Sequence, residues 1–201
     1  YKNLMKLVTA GYLEGFYYRP RIDIDLLKEF NEGLICLSGC LKGELPEKML
    51  KGDFEGAKKT AIMYSQIFND RYYLEIQNHG IPEEEANIAN MKKLSSELGL
   101  PLVCTNDAHY ARQNHWEAHD IHICLGTGKE RSDQNRLRYA TPEFYFKSED
   151  QMFKLFKEFP GAIENSRKIA DSIDLELPIG ESHLPKFPIP ESALTSDPNK
   201  Y

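Results

Sequence analysis

The 201-residue sequence holds no apolar run long enough to span a bilayer, and its opening stretch, Y-K-N-L-M-K-L-V-T, is amphipathic without a signal-peptide core. Nothing in it argues for export, so the cytosol is the expected compartment, with no membrane partner. Cysteine is scarce: Cys36, Cys40, Cys104 and Cys124 never stand at C-x-x-C spacing, and a cytosolic setting argues against a disulfide framework. Basic charge is also short, with 25 Lys and Arg against 31 Asp and Glu for a net charge of −6. A freestanding nucleic-acid binder usually carries a basic stripe. Contact with nucleic acid would therefore depend on local basic pairs, bound metal ions or other parts of a larger assembly. There is no Ser-His-Asp or G-x-S-x-G pattern, no internal repeat and no low-complexity tract.

What is present is a globular composition, 41% hydrophobic and 28% charged, sufficient for one substantial domain with or without an appendage. Residues 1–13 predict a helix with Leu4, Leu7, Val8 and Leu13 as a rough stripe. An aromatic, glycine-containing loop follows, G-Y-L-E-G-F-Y-Y-R-P-R-I-D, and then a short helix over residues 24–30. The run 33–38 reads as a buried strand, with Cys36 a small buried side chain. Residues 44–68 read as helical, and Asp53 is placed to cap the main helix. A second strand is expected over 72–77. Pro82 opens a helix with early glutamates and an apolar face of Ile88, Met91, Leu94 and Leu98, and Gly99 closes it. A third strand covers 100–105, with Cys104 buried in it. This strand, helix, strand, helix, strand order predicts parallel strands covered by helices. Beyond them lie a helix at 116–125, a polar loop at 133–138 and an extended piece at 144–146. A helix opened by a Ser148–Gln151 capping box follows, then a last helix over 160–173.

In parallel α/β folds, ligands gather beyond the carboxyl ends of the strands. The first predicted strand runs out at Cys40, the second at Glu75-x-Gln77-x-His79 and the third at Asp107-x-His109. A thiol, imidazoles and carboxylates are metal-ligand types suited to zinc, manganese or iron. Alternation along an extended chain puts Asp107 and His109 on one face, and Glu75, Gln77 and His79 on another, where Glu75 serves as ligand or supporting partner. Each has a plainer reading: Cys40 as a small packed residue, His79 as the shaper of a turn, the D-x-H pair as structural. Other motifs carry less. Gly126-Thr127-Gly128-Lys129 looks like the end of a phosphate loop, but Lys129 is followed by Glu130 and the earlier glycine is missing. His115, His119 and His122 stand at helical spacing and read as a packed or solvated face ahead of a second metal site. Arg19 and Arg21, beside Tyr17 and Tyr18, either meet a phosphate backbone or pack the loop against the domain.

Four long runs, G-Y-L-E-G-F-Y-Y-R-P-R-I-D, G-L-I-C-L-S-G-C-L-K-G-E, Y-Y-L-E-I-Q-N-H-G and P-L-V-C-T-N-D-A-H-Y, resemble in order and spacing the PHP domain of bacterial DNA polymerase III alpha subunits. So do E-A-H-D-I-H-I-C-L-G-T-G-K and F-Y-F-K-S-E-D-Q-M. The resemblance implies an incomplete, distorted (β/α)7 barrel with additional C-terminal helices. It implies a divalent-metal rim, zinc or manganese, of the 3′–5′ exonuclease type, with Cys40, His79, Asp107 and His109 at ligand positions, Asp107 and His109 catalytic, and Glu75 less certain. DNA and other replicase subunits would be the partners. The family begins with an H-x-H strand, and no H-x-H occurs here. The expectation is a segment cut at both ends, with partial or no metal occupancy and no activity alone. Residues 1–176 would be the later part of the PHP domain, and 177–201 a proline-rich connector toward the polymerase palm. Two rival readings remain: a stand-alone PHP phosphatase of small phosphate esters, and a vestigial PHP domain with a structural role.

Overall fold

The computed structural model describes residues 1–182. Three short parallel strands form one sheet in the order β1 (Cys36–Leu37), β2 (Tyr72–Ile76), β3 (Leu102–Cys104). Cys36 pairs with Tyr72 and Leu37 with Tyr73; Leu74, Glu75 and Ile76 pair with Leu102, Val103 and Cys104. The expected parallel α/β arrangement is present. The strands are shorter than the apolar runs that predict them, because apolar runs mark burial while a strand ends where its ladder partner departs.

The helices follow local signals. Helix α1 (Lys2–Leu13) packs on α2 (Ile24–Phe30), which is capped by Asp23 accepting from the Leu26 N–H at 2.8 Å. The region 44–68 divides into α3 (Glu44–Leu50) and α4 (Phe54–Phe68), and Asp53 caps α4 by accepting from the Gly56 N–H at 2.8 Å. Helix α5 (Pro82–Leu98) has proline at its start and Gly99 in the left-handed conformation at its end. Helices α6 (Trp116–Thr127), α7 (Glu149–Leu155) and α8 (Pro160–Asp171) complete the unit, with both halves of the Ser148–Gln151 capping box made.

The core lies between the sheet and α3, α4, α5 and α8. Leu74, Ile76, Ala57, Ala61, Met91 and Leu94 are fully buried, and Phe156 seals the side where α8 packs on β3. Small alanines on α4 let that helix approach closely; Met91 and Leu94 on α5 fill the remaining space. Two expectations change. Of the α1 stripe, only Leu7 is buried; Leu4, Val8 and Leu13 are exposed, since the helix packs mainly on α2 and its apolar side borders an open groove with Leu27, Leu34 and Cys36. Cys36 is half-buried instead of buried, though still desolvated enough that its thiol is pushed up to about 11. All four cysteines are free.

Residues 1–171 form one compact unit and 172–201 a second. In the second, the Ile179 N–H donates to the Leu177 carbonyl at 2.7 Å. Most of the proline-rich connector, residues 183–201, lies outside the described residues. Among the described residues, no helix is long and apolar enough to cross a membrane.

Truncating Leu74, fully buried at the centre of the sheet, to alanine is expected to cost about 2–5 kcal/mol. Leu125→Ser, at an exposed position on α6, should change stability by less than about 0.5 kcal/mol. Urea denaturation monitored by circular dichroism checks both; equal losses would contradict this placement of the core.

Candidate active site at the ends of strands β2 and β3

His79 follows β2 and is 1% exposed. Its ring Nδ1 lies 2.8 Å from Glu84 Oε1, and its backbone N–H donates to Glu84 Oε2 at 2.6 Å. On the far side of the ring, the Asp107 backbone N–H donates to Nε2 at 3.2 Å. An acceptor at Nε2 places the proton on Nδ1, so Glu84 fixes both the tautomer and the ring plane. The ring also lies flat on Phe144, 4.3 Å between centroids and 3° from parallel, and the His79 carbonyl accepts from the Thr141 hydroxyl at 2.5 Å. Burial works to raise the Glu84 carboxyl, but the His79 ring and backbone N–H outweigh it and hold that carboxyl below its ordinary value.

Asp107 and His109 follow β3, and their side chains meet as the extended alternation requires, His109 Nε2 lying 3.1 Å from Asp107 Oδ1. Both are partly open to solvent. The His109 backbone N–H donates to the Phe144 carbonyl at 2.8 Å. The Tyr139 hydroxyl lies 3.0 Å from Nδ1 and 3.1 Å from Nε2 of His109, with the two rings 4.6 Å apart. His119 of α6 stands 5.9 Å from the His109 ring and 5.3 Å from that of Tyr139. Burial, then the neighbouring His109 and His122, push His119 below its ordinary value.

The remaining candidates divide. Glu75 is buried, donating its N–H to the Ser38 hydroxyl and receiving the Thr105 hydroxyl and, at 3.2 Å, the Gln77 amide on its carboxylate. The expected Glu75–Gln77 face exists, but His79 belongs to the Glu84 network. Cys40 is exposed and has no hydrogen bond or ion pair with His79, Asp107 or His109. Arg21 lies 5.0 Å over the Tyr17 ring in a cavity shared with Glu14, Asp23, Asp25 and Glu29, a field that opposes phosphate. The Arg19 carbonyl accepts from the Tyr17 N–H, part of the packing of this loop. Gly128 is the left-handed cap at the end of α6, so the G-T-G-K run is a helix terminus of the wrong polarity for a phosphate loop.

Donor chemistry at this rim suits a divalent ion: Asp107 and His109 are adjacent and accessible, and His79 has the carboxylate-backed ring typical of a metal-binding histidine. Convergence is incomplete. Both His79 ring nitrogens are engaged within the protein, and among the described residues no three His, Cys, Asp or Glu side chains gather closely enough to hold an ion. The sequence reading missed Glu84 and Tyr139. Glu84 is one of three consecutive glutamates opening α5, and only its five-residue offset from His79 hints at its role.

Glu84→Ala strands two buried donors on His79 and should cost about 3 kcal/mol; Glu84→Gln, which keeps an acceptor, should cost less. Thermal unfolding of the two variants tests the ranking. A second carboxylate, Asp120, is held below its ordinary value of 3.8 first by the Arg136 guanidinium, which donates to its two oxygens at 2.5 and 2.9 Å. A depressed folded pKa gives stability that is fully present above 3.8 and lost as pH falls through the folded value. The hydrogen-exchange protection factors of residues 129–140, the intrinsic rate at each pH divided by the observed rate, should therefore hold above 3.8 and fall below it. Arg136→Gln should show low protection factors for these residues at every pH.

A PHP domain family model matches residues 1–79. Over 191 residues, 94% of this chain, the sequence is 44% identical to the DNA polymerase III subunit alpha of Borreliella burgdorferi, covering 17% of that protein. The corresponding figures for the subunit of Treponema pallidum are 44% identity, 94% and 16%. For the Thermus aquaticus subunit they are 38%, 95% and 16%. These matches bear out the resemblance read from the motifs, and the chain spans only about a sixth of the length of these curated relatives.

Proposed function

We propose that this chain is the PHP-domain stretch of a bacterial DNA polymerase III alpha subunit, and that in the whole subunit its rim serves metal-dependent hydrolysis of DNA phosphodiesters. The supporting observation is the juxtaposition at the ends of β2 and β3: Asp107 and His109 side by side, with His79 locked behind them by Glu84. The whole subunit would be a DNA-directed DNA polymerase acting in the cytoplasm with other replicase subunits. This part would contribute a 3′–5′ exonuclease function. Its architecture would be an incomplete, distorted (β/α)7 barrel over residues 1–176, with 177–201 leading toward the palm.

When bound, a divalent ion, zinc or manganese, would supply an activated water and neutralise charge on the phosphate. Asp107 and His109 are the residues of this chain best placed to hold it. His79, through Nε2, and Cys40 would be the further donors. Glu75 supports the strand end. Tyr139, with its hydroxyl on the His109 ring, orients that ring and can donate to a phosphate oxygen or leaving group beside it. Glu84 acts through His79 as a positioning residue.

The rival reading with an observation behind it is a vestigial, structural PHP domain, favoured by the incomplete convergence of donors. The relatives' names favour a polymerase part over a stand-alone phosphatase. Metal analysis and 3′-end hydrolysis by the whole alpha subunit separate the readings. The proposal expects bound divalent metal in the wild type, lost together with hydrolysis in Asp107→Asn and His109→Ala, while nucleotide incorporation persists. A wild-type subunit that is metal-free would leave only the structural role, and variants that retain both metal and hydrolysis would overturn the assignment of the site to Asp107 and His109.

A further inference from the structure

Beside the Asp107–His109 pair, and separated from it by the Tyr139 ring, lies a cavity of about 510 Å³ between α6 and the loop 131–141. Its volume falls in the range of small-ligand sites. Its charge runs against that of the chain. Arg131, Arg136 and Arg138 line it with a single carboxylate, Asp120, so it carries an excess of about two positive charges in a protein of net charge −6. Asp120 is committed to Arg136 and lies 3.4 Å from Arg131. Arg138 has no hydrogen-bond or ion-pair partner among the described residues. Trp116, 41% exposed, and Tyr110 line the same space.

An uncommitted guanidinium with a second, half-committed one beside it suits a phosphate; aromatic side chains lining the same space suit a base. A sugar phosphate would leave the rings unused. Duplex DNA would keep its base faces stacked and out of reach. The ligand chemistry that uses both halves is a nucleotide in a single strand. Tyr139 fixes where its neighbour lies, because the ring that walls the cavity carries the hydroxyl 3.0 Å from His109.

We propose that this cavity is a nucleotide subsite, in which Arg138 and Arg131 hold a phosphate and Trp116 and Tyr110 hold the base of a single-stranded DNA end next to Asp107 and His109. The choice of DNA as ligand rests on the function proposed above; the subsite itself does not require hydrolysis.

Trp116 is the only tryptophan in the chain, so intrinsic fluorescence reports on this cavity directly. Titration of the 201-residue chain with a short oligothymidylate at low salt should quench Trp116 saturably. Arg138→Ala should weaken binding about tenfold, as expected for one lost charge-assisted contact, and lower the salt dependence by about one phosphate contact. Arg138→Lys, which keeps the charge without the fork, should recover part of the affinity. Thymidine alone and inorganic phosphate alone should each bind more weakly than the oligonucleotide. Absence of quenching, quenching indifferent to Arg138→Ala and Arg131→Ala, or equal quenching by duplex of the same sequence would overturn the proposal. Persistent, Arg138-dependent binding in a chain whose parent subunit neither holds metal nor hydrolyses DNA would leave the subsite standing and remove the hydrolytic reading.

Discussion

The contact on which the rest of this site depends is the buried pair of His79 and Glu84. A histidine sealed from solvent must satisfy both ring nitrogens and its backbone N–H inside the protein. Glu84 takes two of these groups, and the Asp107 N–H takes the third. The same residue stacks on Phe144 and accepts from Thr141. One side chain thus ties the end of β2 to the start of α5, to the segment after β3 and to the segment leading into α7. Asp107 and His109 hang from a backbone that this residue positions, so the accessible pair owes its location to a buried one. Removing either partner is destabilising, because it leaves the other buried and unpaired.

A second pair does similar work for the loop after α6. Asp120 is nearly buried and takes both terminal nitrogens of Arg136, which fastens a polar, otherwise irregular stretch to the helix. With that arginine spent on structure, Arg131 and Arg138 remain to give the adjoining cavity its positive character. Charge committed to the Asp120 pair and charge left open to the cavity are therefore divided among three arginines close in sequence, a division that spacing alone does not reveal.

How far the sequence could be read follows the range of the forces involved. The Ser148–Gln151 box, Asp53, Pro82 and Gly99 act within one helical turn, and each was readable in place. The α1 stripe was misleading, since periodicity states that one face is apolar but not that a neighbour covers it. The D-x-H pair was legible because alternation along an extended chain is a local property. Its partners were not: Tyr139 is 30 residues from His109. Glu84 stands between Glu83 and Glu85, identical in type, and only the turn of the helix decides which one points inward.

The α/β order, the parallel strands, several helix caps and the similarity to the PHP stretch of alpha subunits could be read from the chain alone, because they rest on short-range propensity or on runs of matching residues. Which polar groups share a space was settled by packing. It joined His79 to Glu84 and Asp107, turned Glu75 toward Thr105 and Gln77, left Cys40 outside, and set a basic, aromatic cavity against His109. Burial is the reason: a polar group taken from water must find a partner wherever the packed chain offers one, and that location depends on the whole fold.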